Sequence, residues 1–265
     1  MVSIHNPRIK YVRRLANSRF REREKKFLVE GIRFVEEALD SGWPVEMLIY
    51  TGKSVENPRA KKLLTTAAAR NALLLEVAED VFGKLADTTT PQGIIAVAAQ
   101  RGYSLADLEP INYPALLVLV DGVQDPGNLG AIVRSADAAG AGGVVLLKGT
   151  ADLYNPKTLR ATMGSIFHLP IIQGAEADDI ISYLNRRGIK TVAGVPRAKE
   201  VLFAVDLQVP CALAVGGEAA GLSAEMLEHV DELARIPMPG RAESLNVAIS
   251  VSIMLYETLR QRGVS

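Results

Sequence analysis

The chain has 265 residues, 48% of them hydrophobic, and its 30 basic side chains balance its 30 acidic ones. That length and apolar content suit one large domain or two ordinary ones with a real core, and exclude a disordered tail or a small stapled fold. The one cysteine, Cys211, lies in the apolar run CALAV, which excludes a disulfide framework and a thiolate cluster and points to a reducing, cytoplasmic setting.

The N-terminus is basic without a continuous apolar segment, and no stretch reaches the roughly 18 apolar residues of a membrane span. Residues 1–26 hold nine basic side chains (Arg8, Lys10, Arg13, Arg14, Arg19, Arg21, Arg23, Lys25 and Lys26) against Glu22 and Glu24. The remainder is therefore net acidic. A concentrated basic segment suits a polyphosphate backbone, because each neutralised phosphate releases counterions. A solvated helix face is the ordinary alternative.

Next, FLVEGIRFVEEALDSG (27–42) has apolar residues at helical spacing and ends at Gly42. VEMLIYT, ALLLEVA and GIIAVAA read as short buried strands, separated by helical NPRAKKLLTTAAARN and EDVFGKLAD. This predicts a small α/β domain over 1–100. The stretch 101–113 has the turn residues and polarity of a linker.

From 114 to 265 the alternation is stronger. Strands are expected at ALLVLVDGV, GVVLLKG, LPIIQG, IKTVAGV, CALAVGG and LARIPM, and helices at LGAIVRSADAAG, PKTLRATMGSIF, ADDIISYLNRRG, SAEMLEHV and LNVAISVSIMLYETLRQRG. Apolar strands separated by helices imply a mostly parallel sheet with helices on both faces and ligands at the strands' carboxyl ends. There is no Gly-rich dinucleotide turn, P-loop lysine or nucleophile elbow. His5, His168 and His229 are scattered, without metal-ligand spacing.

Three polar segments stand at predicted strand ends. In DGVQDPGNLGAIVRSADAAG a Pro-Gly turn leads to Asn128, which can cap a helix carrying Arg134. An Arg on that small, apolar surface needs an anionic partner, either a phosphate or one of Asp121, Asp125 and Asp137. In AVGGEAAGLS, Gly216 and Gly217 permit close backbone approach while Glu218 emerges from an apolar strand. In RIPMPGRAESLNVAIS, Ser244 can cap the last helix, with Asn246 in its first turn. That helix is apolar on most sides, as a helix buried against both its own sheet and another subunit would be.

These three segments, in this order, resemble motifs 1, 2 and 3 of the SpoU (TrmH-type) branch of the SPOUT RNA methyltransferases: NLGAIVR, GGEAAGL and IPMPGRAESLN. The resemblance covers the chain from about Tyr113. The first half, with NPRIKYVRRL, FLVEGIRFVEEAL and TPQGIIAV, is similar to the RNA-binding domain preceding it in ribosomal RNA ribose methyltransferases.

The resemblance implies a deep trefoil knot, a homodimer, no metal, and methyl transfer from S-adenosylmethionine to a ribose 2′-hydroxyl, with large-subunit ribosomal RNA favoured as substrate. It makes Arg134 the residue that contacts the RNA phosphate and assists deprotonation, and groups Asn128, Glu218, Ser244 and Asn246 around it. Cofactor contacts fall on Ala193, Gly194, Gly216, Gly217, Ile236, Met238 and Leu245. Arg8, Lys10, Arg13, Arg14, Arg19 and Arg21 become RNA contacts. One departure stands out: Ala219 follows the motif 2 glutamate where many relatives have glycine, which costs something if that backbone needs positive φ. Competing readings are a non-catalytic RNA-binding or ribosome-assembly protein that keeps the fold, a transfer RNA methyltransferase, and a nucleotide-binding oxidoreductase, the last lacking its Gly-rich first turn.

Overall fold

A computed structural model describes residues 1–108 and 114–264. The chain divides into two compact units, Met1–Arg101 with Tyr154–Leu159, and Gly102–Leu153 with Arg160–Ser265. Of the stretch expected as a linker, Leu105–Leu108 forms a 3-10 turn and 109–113 lie outside the described residues.

In the first unit the basic opening segment is two helices, α1 (Pro7–Arg14) and α2 (Ser18–Glu24). Each starts at an asparagine whose side chain accepts a first-turn N–H, Asn6 from Arg8 and Asn17 from Phe20. β1 (Lys26–Glu30) follows, so the helical reading from Phe27 is corrected at its start. Phe27 and Val29 are buried on one face of that strand, and Gly31, at φ 102°, breaks it from α3 (Ile32–Asp40). Next come β2 (Val45–Thr51), α4 (Pro58–Ala69), β3 (Leu73–Val77), α5 (Glu79–Phe82) and β4 (Ile94–Ala99). The sheet order is β1-β4-β2-β3, antiparallel except for the β2–β3 pair. Trp43, fully buried, donates its indole N–H to the Ala99 carbonyl at 2.7 Å.

The second unit begins with β5 (Leu116–Asp121), buried at every position, then α6 (Pro126–Ala138) and β6 (Gly143–Leu147). Next in sequence is α7 (Pro156–Thr162), whose first four residues are counted with the first unit. The helix expected over 156–167 stops early, because Met163 and Gly164 both take positive φ and only a 3-10 turn follows. β7 (Ile171–Ala175), α8 (Ala177–Arg187), β8 (Lys190–Gly194), β9 (Glu200–Val201), β10 (Cys211–Gly216), α9 (Ala224–His229), β11 (Glu232–Arg235) and α10 (Val247–Gln261) complete the unit.

All seven strands of this sheet are parallel, in the order β7-β6-β5-β10-β8-β11-β9. The chain first moves outward through β6 and β7, then returns to the other side of β5. That reversal opens a crevice at the carboxyl ends of β5, β10 and β8, where parallel sheets bind ligands. Arg262 anchors the end of α10, its guanidinium donating to the carbonyls of Leu207, Pro114, Ala115 and Val209.

Candidate active site

Two helix starts and one strand end build the site, and local chemistry decides which side chains stay available. Asp125, not Asn128, caps α6: its carboxylate accepts the Asn128 N–H at 2.9 Å, and Pro126 takes the first helical position. A carboxylate three residues ahead suits the helix N-terminus better than an amide does. Asn128 is thereby left one turn in with its carboxamide uncommitted to the cap. The cap of α10 is likewise Asn246 rather than Ser244, with Oδ1 accepting from the N–H groups of Ala248 at 2.9 Å and Ile249 at 3.3 Å.

Because only the oxygen of that amide can accept, the Asn246 Nδ2 group faces away from the helix. It donates to Asn128 Oδ1 at 2.9 Å, and Asn128 Nδ2 in turn donates to Glu218 Oε1 at 2.6 Å. One residue from each of the three segments thus joins a single polarised chain that ends on a carboxylate. Asn128 is locked at both ends, while the exposed Glu218 keeps its second oxygen for a ligand.

Glu218 sits in the tight turn after β10, where the Gly221 N–H donates to the Gly217 carbonyl at 2.8 Å. A Cβ on Gly216 would lie 1.9 Å from the Gly221 carbonyl carbon, and one on Gly217 would lie 2.4 Å from the Gly122 oxygen. Both obstacles are backbone, so side chains are excluded there. Within this turn Gly221 takes positive φ and Ala219 does not, so the alanine departure carries no strain. Asp121, at the end of β5, pins the far side by accepting the Ser223 N–H at 2.7 Å.

A cavity of about 490 Å³ lies against this turn. Gly194, Gly216, Gly217, Glu218, Ser244, Leu245 and Asn246 all line it. A smaller adjoining hollow of about 50 Å³ brings in Ile236 and Met238. Ala193 does not reach the cavity; its side chain is fully buried in the sheet core. Sequence reasoning missed Pro196, Leu222, Leu227 and Ser250 on the cavity wall. Only the structure singles out Leu227, a large apolar side chain that stays 42% exposed on a short helix beside the glycine turn.

Arg134 is set apart. Six residues beyond Asn128, it points about 120° away around the helix axis, does not line the cavity, and makes no hydrogen bond or ion pair among the described residues. Its three candidate acidic partners are engaged elsewhere, Asp121 and Asp125 as above and Asp137 with His168 at 3.1 Å.

In the first unit Arg8, Lys10, Arg13, Arg14 and Arg19 are exposed. The guanidinium groups of Arg14 and Arg23 both lie over the Phe20 ring, at 4.1 Å and 4.7 Å from its centroid. Arg21 is corrected out of the RNA-contact set: it is 4% exposed and donates to the carbonyls of Leu15 at 3.0 Å and Ala16 at 2.7 Å, closing the turn between α1 and α2.

Burial pushes the Cys211 thiol up to about 11, leaving it protonated and inert. Among the described residues no group of three or more His, Cys, Asp or Glu could hold a metal ion, and no helix is long and apolar enough to cross a membrane.

Known proteins resemble the chain over both halves of its length. The profile of the SpoU rRNA Methylase family matches residues 115–256, and that of the MRM3-like substrate binding domain matches residues 6–96. The chain is 35% identical to the 23S rRNA (guanosine(2553)-2′-O)-methyltransferase RlmP of Bacillus subtilis, covering 96% of both chains. It is 34% identical to the 23S rRNA (uridine(2479)-2′-O)-methyltransferase of Streptomyces viridochromogenes, over 94% of this chain and 87% of that one. The AdoMet-bound rRNA methyltransferase from Sinorhizobium meliloti superposes with a TM-score of 0.89 at 37% identity, covering 98% of this chain and 97% of the other.

Proposed function

The chain belongs to the SpoU rRNA methylase family, and from that premise we propose that it methylates a ribose 2′-hydroxyl of large-subunit ribosomal RNA, with S-adenosylmethionine as methyl donor. The observation that carries the reading is the Asn246–Asn128–Glu218 chain on the rim of the 490 Å³ cavity.

The residues present fit the donor. The side-chain-free backbone of Gly216 and Gly217 gives a flat ligand direct access to main-chain groups, and Leu245, Leu222 and Leu227 supply apolar surface. When bound there, the donor supplies a methyl carbon already activated on a sulfonium.

The protein's work is therefore alignment and charge. Glu218 and Ser244 hold the target nucleotide at the cavity rim, and Asn128 keeps the Glu218 carboxylate in one orientation. Arg134 binds the adjoining phosphate and stabilises negative charge as the hydroxyl loses its proton; a guanidinium stays protonated, so positioning is its minimum role.

Arg134 lies off the cavity of its own chain, and acts instead at the cavity of a second copy. α10 supports a homodimer: it packs on α6, the helix of Arg134, yet leaves Ile249 53% and Tyr256 56% exposed. The knotted fold, the division into 1–100, 101–113 and 114–265, and a cytoplasmic location belong to the same proposal, the last supported by the lone buried thiol.

The test is methyl transfer from radiolabelled S-adenosylmethionine to ribosomal RNA from cells lacking the protein. Arg134→Ala should lose about 10²- to 10³-fold in rate. No incorporation into bare RNA or assembled subunits, with no cofactor binding, would favour a non-catalytic RNA-binding protein.

A further inference from the structure

The first unit contains a cavity of about 320 Å³ at the carboxyl end of β2, remote in sequence from every methyltransferase motif. Its floor is rigid. The buried Thr51 accepts the Ser54 N–H at 3.3 Å, Ser54 Oγ donates back to the Thr51 carbonyl at 2.7 Å, and the Thr51 N–H donates to the Gly93 carbonyl at 3.0 Å. Gly93 has φ +75°, and a Cβ there would sit 2.6 Å from Thr51 Oγ1. Its upper wall is held from two sides. Glu30 accepts the Asp87 N–H at 2.8 Å and also binds the Thr88 hydroxyl, while Gln92 Oε1 accepts the Ile32 N–H at 2.8 Å.

Two carboxamides on this cavity share one property. Gln92 is committed through its oxygen to Ile32, and Asn57 through its oxygen to the Arg59 N–H at 2.9 Å. In each the NH₂ group has no partner among the described residues, and Lys53 on the same wall makes no ion pair there. The cavity therefore offers three sets of donors against the single carboxylate of Glu79, beside the apolar surface of Ile32 and Pro91. Such a lining suits an occupant that carries hydrogen-bond acceptors and a negative charge.

We propose that this cavity receives one unpaired nucleotide of the RNA substrate, with base carbonyls facing the Gln92 and Asn57 amides and its phosphate at Lys53. The proposal rests on the reading that the substrate is RNA. Proteins that read RNA by sequence do so mostly at unstacked bases, stacked on side chains and hydrogen-bonded along their edges. The pocket gives the protein a means of choosing its substrate that is independent of the exposed arginines, whose phosphate contacts carry no sequence information.

The test is filter binding of transcribed large-subunit ribosomal RNA to wild type and to a Gln92→Glu, Lys53→Ala double variant. Gln92→Glu keeps the oxygen that accepts from Ile32 and replaces the NH₂ donor with a negatively charged oxygen that repels a base carbonyl or phosphate. RNA affinity should fall about tenfold, the effect of losing charge-assisted and amide hydrogen bonds, with melting temperature and S-adenosylmethionine affinity unchanged. Unchanged RNA affinity overturns the proposal. So does saturable binding of free uridine or guanosine 5′-monophosphate to the wild type when the variant's RNA affinity is unaltered, which would make the cavity an effector site. Should the double variant melt early, Lys53→Glu alone, at an exposed and unpaired position, decides by the same two criteria. Binding is read without catalysis, so a wild type that binds RNA and transfers no methyl group refutes the enzymatic reading only.

Discussion

The two units deploy polar residues in opposite ways. In the seven-stranded parallel sheet they converge: three segments far apart in sequence meet in one chain of hydrogen bonds at the strand ends, on backbone that admits no side chain. In the four-stranded unit the basic side chains of α1 and α2, Arg21 apart, are dispersed over exposed faces, with no hydrogen-bonded chain joining them among the described residues. A convergent site fails when one member is removed; a dispersed one weakens by degrees. Mutations can break or sharpen that contrast.

The largest effect is expected at Gly216→Ala. The added Cβ would overlap the Gly221 backbone at 1.9 Å, and no rotamer relieves it. The glycine turn must open, and cofactor binding measured by calorimetry should be abolished. Retained affinity within tenfold would show that the turn is not the cradle assigned to it. Next comes Asn246→Asp. The aspartate still caps α10, as well as or better than asparagine, but it has no NH₂ for Asn128 and places a second carboxylate near Glu218. The melting temperature should hold while the methyl-transfer rate falls about 10- to 100-fold, in line with the roughly 1.5–3 kcal/mol of a hydrogen bond to a charged group. Asn246→Ala, by contrast, should lose both rate and about 1 kcal/mol of stability.

The contrast also explains what could be read from sequence. Parallel strands such as β5 and β10 announce themselves, because burial on both faces demands unbroken apolar runs. The candidate site residues were legible for a related reason: close backbone approach at Gly216 and Gly217 admits only glycine, and a helix start favours a few short polar side chains. Their division of labour was not legible. Which of Asp125 and Asn128 caps α6, and which of Ser244 and Asn246 caps α10, depends on a small shift of register. Either choice places a good capping residue at the helix start. In the first unit the same reasoning went wrong at Phe27, where a strand and a helix separated by one glycine present a continuous helical apolar spacing. Arg21 looked like its exposed neighbours because two backbone carbonyls made available by a turn leave no mark in composition.

That last distinction is itself testable within one short segment. Arg21→Ala leaves the Leu15 and Ala16 carbonyls without their charged donor and should cost about 2–3 kcal/mol of stability. Arg13→Ala with Arg14→Ala should leave stability nearly unchanged, weaken RNA binding, and flatten the dependence of log affinity on log salt by about 1 for each phosphate no longer neutralised. If the Arg13 and Arg14 variants bind with the wild-type salt slope, RNA does not lie on that face. If Arg21→Ala behaves as they do, the turn it closes is not structural.

The smallest effect is expected at Ala219→Gly, and it separates two explanations of the glycine turn. If the turn needed left-handed backbone directly after Glu218, restoring glycine would relieve strain and tighten cofactor binding. In this chain the positive φ falls on Gly221 instead, two residues later, and Ala219 sits in ordinary backbone. Glycine there only widens the unfolded ensemble, so stability should drop by about 0.4–1 kcal/mol, with cofactor affinity unchanged within twofold. A gain in either quantity would move the conformational requirement to position 219. The two glycines that exclude a Cβ, Gly216 and Gly217, lie ahead of Glu218, where main chain meets main chain. Behind the glutamate the turn needs one left-handed residue, and Gly221 already supplies it.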